Sequence, residues 1–410
     1  MSAADEVYAA ARSWFDVNWD PQLPLGQWWQ RLGDSGWGFP TWPEAWYGKG
    51  LSHGAAKSVD RARVDVGAFP APAGIATMMV APTLMQLGTP EQQQRHLPAI
   101  ANGSEIWCQL FSEPGAGSDL AGLQTRAMRD GDEWVVNGQK VWTSGGHYAR
   151  WAILLARTDP DVPKHRGLTF FLIDMRQPGV EPRPLRQMTG HAEFNEVFLT
   201  DARVPHANIV GREGAGWSVA LNILAHERAS LDADSGDSAG VMGDLDLEAP
   251  AGSFLGADGA DDGTEAIAAA TGQGARRLLQ DLLSRSSTSG PAERVERHRV
   301  AEVMSLIEVA RLAGGSLPPS AGKLAATNLG RRMRDVALAL EGPYGTVMGA
   351  DAPLDGLAQD MALWVSGLSI AGGTDDIQRN IVGDRDLGLP PEPRVDKDVP
   401  FRELRQGTIR

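Results

Sequence analysis

The spacing of apolar residues divides the chain into three stretches of different character. Up to about residue 105 the pattern favours helices joined by Gly/Pro-rich turns. Between about 106 and 210 short β-prone runs dominate, and from Gly214 onward helical spacing returns as far as about Asp386. This order predicts an α+β protein in which a β domain lies between two helical domains along the chain.

Two of the predicted helices have clear local signals. Thr89 can cap a helix whose first position is Pro90, and Gln92 completes a capping box. The run from Trp217 to Arg228 contains neither glycine nor proline and predicts one long helix. These two helices flank the β stretch in the sequence.

The β stretch predicts a hairpin and several further strands. Asn137-Gly138 supplies the residue types of a tight turn with positive φ, and β-prone runs lie on both sides of it within 134–142. Further strands are predicted in 151–156, 167–173 and 196–199. Several short strands at this spacing indicate a small barrel or sandwich.

Two segments fall outside these patterns. Residues from about 231 to 264 are rich in Gly, Ala, Ser and Asp, and no Lys or Arg occurs between Arg228 and Arg276. This composition predicts a solvated or partly ordered insertion that buries little. The proline-rich run that follows residue 388 predicts an extended tail lying on a neighbouring subunit. The predicted organisation is therefore helical over 1–105, β over 106–210, helical over 211–388 with the insertion, and extended over 389–410.

Composition and charge exclude several classes of protein. A chain of 410 residues is longer than one hydrophobic core usually serves, so two or three domains are expected. The formal net charge of −14 argues against a nucleic-acid-binding protein, although a local pocket can still be positive. The single cysteine, Cys108, excludes an intrachain disulfide and suits a reducing compartment. With no apolar run long enough to span a membrane and no secretory pattern, we expect a soluble, cytoplasmic protein.

Three motifs could bind a ligand. In Ser112–Asp119, glycines let the backbone approach a ligand closely, and hydroxyls and N–H groups can bond a flavin or a phosphate. In Lys140–Gly146, Trp142 beside hydroxyl groups could stack on a planar heterocycle. Gly372–Asn380 gives a helix N-terminus with free N–H groups. Taken singly, each is also compatible with an ordinary loop, a core tryptophan beside a turn, or a plain helix cap.

Together the motifs resemble those of the acyl-CoA dehydrogenase family. The family's order and spacing are found in Gln109–Gly122, Trp142–Ser144, Asn195–Val204, Gly211–Trp217 and Gly372–Arg379, and the helix start at Gly88–Gln92 is similar. The resemblance covers nearly the whole chain except about 231–275. It implies an acyl-CoA dehydrogenase fold, with an N-terminal helical domain, a middle β-barrel domain and a C-terminal four-helix bundle. It also implies FAD between the last two domains, usually in a tetramer.

The resemblance assigns roles to individual residues. Gln109, Leu110, Phe111 and Ser112 match the segment whose backbone and hydroxyl contact the flavin ring. Ser144 replaces the usual threonine near flavin N5. The other FAD contacts that the resemblance implies are Gly117, Ser118, Trp142, Thr143, Thr374 and Asp376, and the substrate contacts are Ser118, Arg228 and Gly373. No residue of the set is expected to bind a metal.

The catalytic base is expected at Glu227. The commonest members of the family have a glutamate base at the position of Gly372, which here has no side chain to accept a proton. Glu227 resembles the alternative position in isovaleryl-CoA dehydrogenase and its relatives, where the base comes from the adjacent helix. The backbone N–H of Gly372 would still hold the substrate carbonyl oxygen. The alternative is that Glu227 is a solvated helical carboxylate paired with an arginine.

The resemblance implies dehydrogenation of an acyl-CoA to a trans-2-enoyl-CoA, with an electron-transfer flavoprotein as acceptor. Two family features are altered. The Arg-x-x-Phe-Gly segment that reaches a neighbouring subunit's FAD is not found, and Glu341-Gly342-Pro343 replaces a Gln before a Phe-Gly-Gly turn. Because these changes resemble those of hetero-tetramer subunits, a second hypothesis is a partner subunit with little activity alone. A third is an oxygen-using flavoenzyme of the same family.

Overall fold

The computed structural model describes residues 2–232, 245–255, 266, 269–270, 272–285, 291–313, 316–393 and 396–404. The side chains of 227–232, 273, 285 and 291–296 lie outside this description. Over the described part of the chain, helices come first, strands follow, and helices return, so the predicted α+β order is confirmed. No helix in these ranges combines the length and apolar character needed to cross a membrane.

The N-terminal region contains five α-helices, of which the first three pack around a tryptophan-rich core. They are α1 (Ala3–Asn18), α2 (Leu25–Ser35), α3 (His53–Val66), α4 (Ala81–Leu87) and α5 (Pro90–Ala101). The predicted capping box of α5 is confirmed. Thr89 Oγ1 accepts the N–H of Gln92 at 3.3 Å, and Gln92 Oε1 accepts the N–H of Thr89 at 3.1 Å. Gln92 also donates to the carbonyls of Ala207 and Ile209, so this helix start is bonded directly to the end of the β region.

The middle region is one curled, seven-stranded sheet. Its strands are β1 (Trp107–Leu110), β2 (Arg126–Asp130), β3 (Glu133–Ser144), β4 (Trp151–Arg157), β5 (Leu168–Asp174), β6 (Val180–Leu185) and β7 (Phe194–Pro205). The order is β1-β4-β2-β3-β7-β6, with β5 also paired to β4. β1 runs parallel to β4, whereas β3 pairs antiparallel with both β2 and β7. The strands predicted at 151–156, 167–173 and 196–199 are confirmed in β4, β5 and β7.

The hairpin predicted at Asn137-Gly138 is wrong. These residues lie inside the continuous strand β3, at a register shift in its pairing with β7. A Cβ on Gly138 would lie 2.2 Å from Thr125 Oγ1, so glycine is needed here for close packing and not for a turn. The reversal occurs between β2 and β3 at Gly131, which has a φ of +64°.

The edge strand β6 is a strand that the sequence patterns did not predict. It contains Pro182 and Pro184, which cannot donate a ladder hydrogen bond. It pairs only with β7. Prolines are tolerated at such an edge because their ring nitrogens can face away from the ladder.

The described part of the C-terminal region includes six α-helices whose bounds are defined. They are α6 (Gly216–Asp232), α7 (Gly272–Arg285), α8 (Pro291–Ala313), α9 (Pro319–Glu341), α10 (Leu357–Leu368) and α11 (Asp375–Ile381). The long helix predicted at 217–228 is confirmed as α6. α9 is central and packs against the other five.

Part of the acidic insertion packs against the N-terminal helices. The N–H groups of Leu25 and Gly26 donate to the carbonyls of Ala249 and Leu247, and the N–H of Ala251 donates to the carbonyl of Leu23. Ala251 is fully buried. Residues 245–255 of the insertion therefore pack on the N-terminal helices, although Ala251 alone among them is buried. Its other parts, 233–244 and 256–264, lie outside the described residues.

The C-terminal tail packs on its own chain rather than extending only towards a neighbour. Phe401 is buried, and the N–H groups of Phe401 and Arg402 donate to the carbonyls of Val162 and Pro160. Residues 396–404 thus pack on the middle region of their own chain, and contact of the tail with a neighbouring subunit stays a prediction. Residues 394–395 and 405–410 lie outside the described residues.

Candidate functional site

A cleft of about 1580 Å³ lies between the middle sheet and the C-terminal helices. Three distant parts of the chain meet there, namely 109–120 and 142–144 from the middle region and 363–385 from the helical region. Ten of the residues selected from the sequence line this one cleft: Gln109, Phe111, Ser112, Gly117, Ser118, Trp142, Ser144, Gly372, Gly373 and Thr374. The structure therefore brings all three motifs together.

The charge of the cleft differs from that of the whole chain. Among the described lining residues, six are Lys or Arg and five are Asp or Glu. The six cationic residues are Lys164, Arg166, Arg186, Arg379, Arg385 and Lys397. In a chain with a net charge of −14, this balance makes the cleft the kind of local environment in which a phosphorylated ligand can bind.

The segment that carries Phe111 and Ser112 is held from beneath by a buried lysine. Lys140 is 0% exposed, and its Nζ donates to the carbonyls of Phe111 and Leu155 and to Glu113 Oε1, each at 2.9 Å. The N–H of Val141 donates to the carbonyl of Ser112 at 2.9 Å. These bonds fix the backbone of the first motif against β3 and β4.

Glu113 is the carboxylate partner of Lys140. Its two oxygens also accept the N–H groups of Gln124 and Thr125, at 2.7 and 2.9 Å. Burial alone would raise the pKa of Glu113, but Lys140 and these donors together hold it below its ordinary value. Burial lowers the pKa of Lys140, and the charge of Glu113 opposes that effect. The two groups therefore form a charged pair inside the sheet.

Trp142 has an unusual backbone and an exposed ring. Its φ is +61°, a left-handed conformation that is uncommon for a bulky residue, and it follows a register shift in β3 after Lys140. The residue is 57% exposed and stands edge-on to Phe194, with ring centroids 5.8 Å apart. The bulge thus presents a large flat ring to the cleft.

Leu110 and Thr143 do not line the cleft. Both side chains are fully buried, and Thr143 Oγ1 has no hydrogen-bond partner in the described structure. The alternation of side chains along a strand explains why Leu110 faces inward while Gln109 and Phe111 line the cleft. A ligand could reach Leu110 only through its backbone.

The opposite wall of the cleft is the turn before α11. Gly372 and Gly373 have φ angles of +60° and +85°. The Nε2 of Gln378 donates to the carbonyl of Gly372 at 2.6 Å, and a Cβ on Gly373 would lie 2.7 Å from that nitrogen. Thr374 caps α11 by accepting the N–H of Ile377 at 3.2 Å. The turn is therefore fixed by glycines that leave room for the Gln378 side chain.

A second buried ion pair holds this turn from behind. Asp375 accepts Lys323 Nζ at 2.8 Å and Arg331 at 2.8 Å, and its N–H donates to the carbonyl of Ser369. Burial would raise the pKa of Asp375, but Lys323 and Arg331 keep it below its ordinary value. The neighbouring Asp376, selected from the sequence, is instead 91% exposed, pairs with Arg379 and does not line the cleft.

Lys323, Asp375 and Gln378 support the site but were not selected from the sequence. Asp375 and Asp376 are adjacent acidic residues in the first turn of a helix, and no local pattern distinguishes the buried one. Gln378 lies within the third motif, but only its contact with Gly372 shows its role. A helical lysine such as Lys323 gives no signal of burial.

Glu227 and Arg228 lie on α6, but their side chains are outside the described residues. The preceding part of the helix follows the cleft, where Trp217, Leu221 and Leu224 contribute apolar lining. Position 227 comes three residues after Leu224, which is close to one helical turn.

Two polar atoms on the lining residues lack partners. Gln378 Oε1 and Trp364 Nε1 are buried and have no hydrogen-bond partner among the described residues. A buried polar group without a partner costs about 1–3 kcal/mol. Because the protein itself covers both atoms, a ligand could reach them only after a side chain moved.

The chain belongs to the acyl-CoA dehydrogenase family. The family's N-terminal, middle and C-terminal domain models match residues 2–104, 108–202 and 266–387. Members of this family are oxidoreductases and flavoproteins that act in lipid β-oxidation.

Curated relatives and solved structures agree with this membership. Acyl-CoA dehydrogenase IpdE1 of Mycobacterium tuberculosis is 37% identical over 376 residues, which are 90% of this chain and 88% of the relative. Acyl-CoA dehydrogenase FadE34 of the same organism is 37% identical over 374 residues, and the match spans 88% of this chain but only 45% of that longer relative.

Two solved structures share the fold over nearly the full chain. The Tcur3481-Tcur3483 steroid ACAD superposes with a TM-score of 0.70 at 25% identity, covering 95% of this chain and 98% of that one. The ChsE4-ChsE5 complex from Mycobacterium tuberculosis superposes with a TM-score of 0.69 at 29% identity, covering 96% and 99%.

We expect Lys140→Met to destabilise the protein by about 3–5 kcal/mol, because it leaves Glu113 buried and unpaired. The measurement is the free energy of unfolding in denaturant. Arg183→Met is the matched control in the same sheet, because Arg183 forms an exposed ion pair with Glu181. It should leave stability unchanged. Equal effects of the two substitutions would contradict the role assigned to the buried pair.

We expect the stability contributed by the Glu113 carboxylate to depend on pH in the acid range. Its pKa in the folded protein is below the ordinary value of 4.5, so its contribution is fully present above 4.5 and is lost as the pH falls through the folded value. Unfolding measured from neutral to acid pH should show wild type more stable than Glu113→Gln, with the difference shrinking below about pH 4.5. A constant difference would show that this carboxylate is not the titrating group.

Proposed function

We propose that this chain removes two hydrogens from the α and β carbons of an acyl-CoA thioester and gives a trans-2-enoyl-CoA. The observation that carries the proposal is the meeting of ten motif residues around one cleft that is less acidic than the chain as a whole. Family membership supports dehydrogenation as the reaction class. The roles of individual residues below are the finer part of the proposal.

The cleft suits FAD as the group that accepts the hydride. Gln109, Phe111, Ser112, Trp142 and Ser144 would surround the flavin ring, while Ser118 and Thr374 would contact its nucleotide part. The exposed ring of Trp142 supports this arrangement. When bound, FAD supplies a hydride acceptor at flavin N5.

The protein's own contribution is to make the α-proton removable. The N–H of Gly372 would donate to the thioester carbonyl oxygen and stabilise the negative charge that develops there. The side-chain amide of Gln378 donates to the carbonyl of Gly372, and this hydrogen bond restricts rotation of the turn. Glu227 would accept the α-proton, and burial beside the substrate would favour its protonated form.

We expect Glu227→Gln to retain bound FAD and to lose turnover by about 10²- to 10⁴-fold, the range that a general base contributes. Anaerobic bleaching of the flavin by acyl-CoA measures the rate of this step directly. Glu302→Gln on α8 is the matched control, because Glu302 is a helical glutamate that pairs with Arg332 away from the cleft. A flavin bleaching rate close to that of wild type in the Glu227 variant would show that another residue is the base.

The acyl-binding end of the cleft favours a bulky apolar group. Gly372 has no side chain, and a Cβ on Gly367 would meet nothing within 4 Å. Leu221, Leu224 and Trp364 supply apolar surface nearby. One structural relative is described as a steroid ACAD, which supports a polycyclic acyl group. A panel of polycyclic, branched and straight-chain acyl-CoAs, compared by anaerobic bleaching, should show the fastest reaction with the polycyclic thioester.

The second candidate is a partner subunit of a hetero-oligomer. Both structural relatives carry the names of two components, and Met304, Val309 and Leu312 expose apolar side chains on α8. The visible spectrum and dye-reduction activity of the chain purified alone separate the candidates. A yellow, active protein supports the enzyme, for which we propose an electron-transfer flavoprotein as the acceptor. Colourless protein that becomes yellow and active only with a co-expressed relative supports the partner subunit.

A further inference from the structure

The chain beyond residue 387, where the family match ends, contributes to the cleft. After α11 the chain turns back, and the N–H of Leu389 donates to the carbonyl of Gly383 at 2.8 Å. Seven residues that follow line the cleft: Leu389, Pro390, Pro391, Glu392, Asp396, Lys397 and Asp398. The C-terminal segment, defined here as 389–393 with 396–404, therefore runs along the opening between the helical region and the middle sheet.

The far end of the C-terminal segment is anchored on the middle region. Besides the two backbone hydrogen bonds to Val162 and Pro160, Pro400 forms a β-bridge with Pro163. The ring of Phe401 is 8% exposed and lies 3.4 Å from the guanidinium carbon of Arg157. A cation on an aromatic face gives a directional contact that an aliphatic side chain cannot reproduce.

Arg157 connects this anchor to the first motif. Its guanidinium donates to the carbonyls of Ala121 and Leu123, at 2.6 and 3.2 Å, and to that of Lys164 at 3.1 Å. Burial lowers the pKa of Arg157 to about 10, which leaves it charged near neutral pH. The ring of Phe401 thus covers the residue that orders the two loops carrying Ser118 and Lys164.

A second contact ties the same loops to the C-terminal segment. Lys164 Nζ lies 2.9 Å from Asp119 Oδ2 and 2.6 Å from Asp396 Oδ2, so one ammonium group serves two carboxylates. A phosphate that enters the cleft could take one of these two positions. The Phe401 contact involves no such competition.

We propose that the C-terminal segment is a third wall of the cleft and that it slows the release of FAD. It does so by holding the loops of Ser118 and Lys164 close to the bound FAD, with Phe401 as the positioning residue. This inference rests on the proposed function, because it takes FAD as the ligand. A bound ligand can leave slowly only while the wall is docked, so weakening the anchor acts on the release rate.

The test measures the rate at which holoprotein releases FAD on dilution, followed by the rise in flavin fluorescence. Phe401→Ala should release FAD at least about ten-fold faster than wild type. Tyr8→Ala is the matched control, because it removes a ring that lies 4.4 Å from the guanidinium carbon of Arg61 on the N-terminal helices, away from the cleft. It should release FAD at the wild-type rate.

Far-UV circular dichroism of each variant establishes that it is folded. If the alanine variant does not fold, Phe401→Leu keeps an apolar side chain, removes the ring face, and should shift the release rate in the same direction. If a folded Phe401 variant releases FAD at the wild-type rate, the role proposed for the C-terminal segment is wrong and the proposed function is unaffected. If the wild-type protein takes up no FAD, both the proposed function and the role proposed for the C-terminal segment are wrong.

Discussion

The buried pair of Lys140 and Glu113 is the interaction on which the rest of the cleft depends. An isolated charge inside a sheet is costly, so each partner must remain where the other can neutralise it. Lys140 satisfies its remaining donors with backbone carbonyls, including that of Phe111, and Glu113 takes two amide hydrogens from the loop leading into β2. The backbone of the first motif is consequently held at Phe111 and Glu113, while the side chains of Phe111 and Ser112 remain available to the cleft.

The opposite wall is built in the same way from different elements. Asp375 and Lys323 join α11 to α9, and Arg331 adds a second cation from the same helix. In both walls, a residue adjacent to the lining surface is charged, buried and fully engaged with the protein. A Gly-rich lining thus lies on a rigid base, which is the arrangement expected where a ligand must be held in one orientation.

The sequence was most informative where several motifs had to agree. No single motif distinguished a site from an ordinary loop, but their order and spacing predicted residues that meet in one cleft. It was least informative where a tertiary contact overrides a local preference. Asn137-Gly138 has a strong turn signal, yet packing against Thr125 keeps it within a strand. Asp375 and Asp376 have the same local signal and opposite environments. The insertion is acidic in overall composition, and this composition gave no signal of the few apolar residues that pack on the N-terminal helices, among them Leu247 and Phe254.

The two prolines of β6 have a consequence for how copies of this molecule can meet. An unpaired strand edge invites another chain to extend the sheet, and such growth leads to aggregation. Pro182 and Pro184 remove two successive amide donors from one side of β6, so an incoming strand would find an interrupted ladder there. This border of the sheet is therefore poorly suited to pairing with a strand of another copy, which protects the molecule against fibre-like self-association through β6 when it is concentrated.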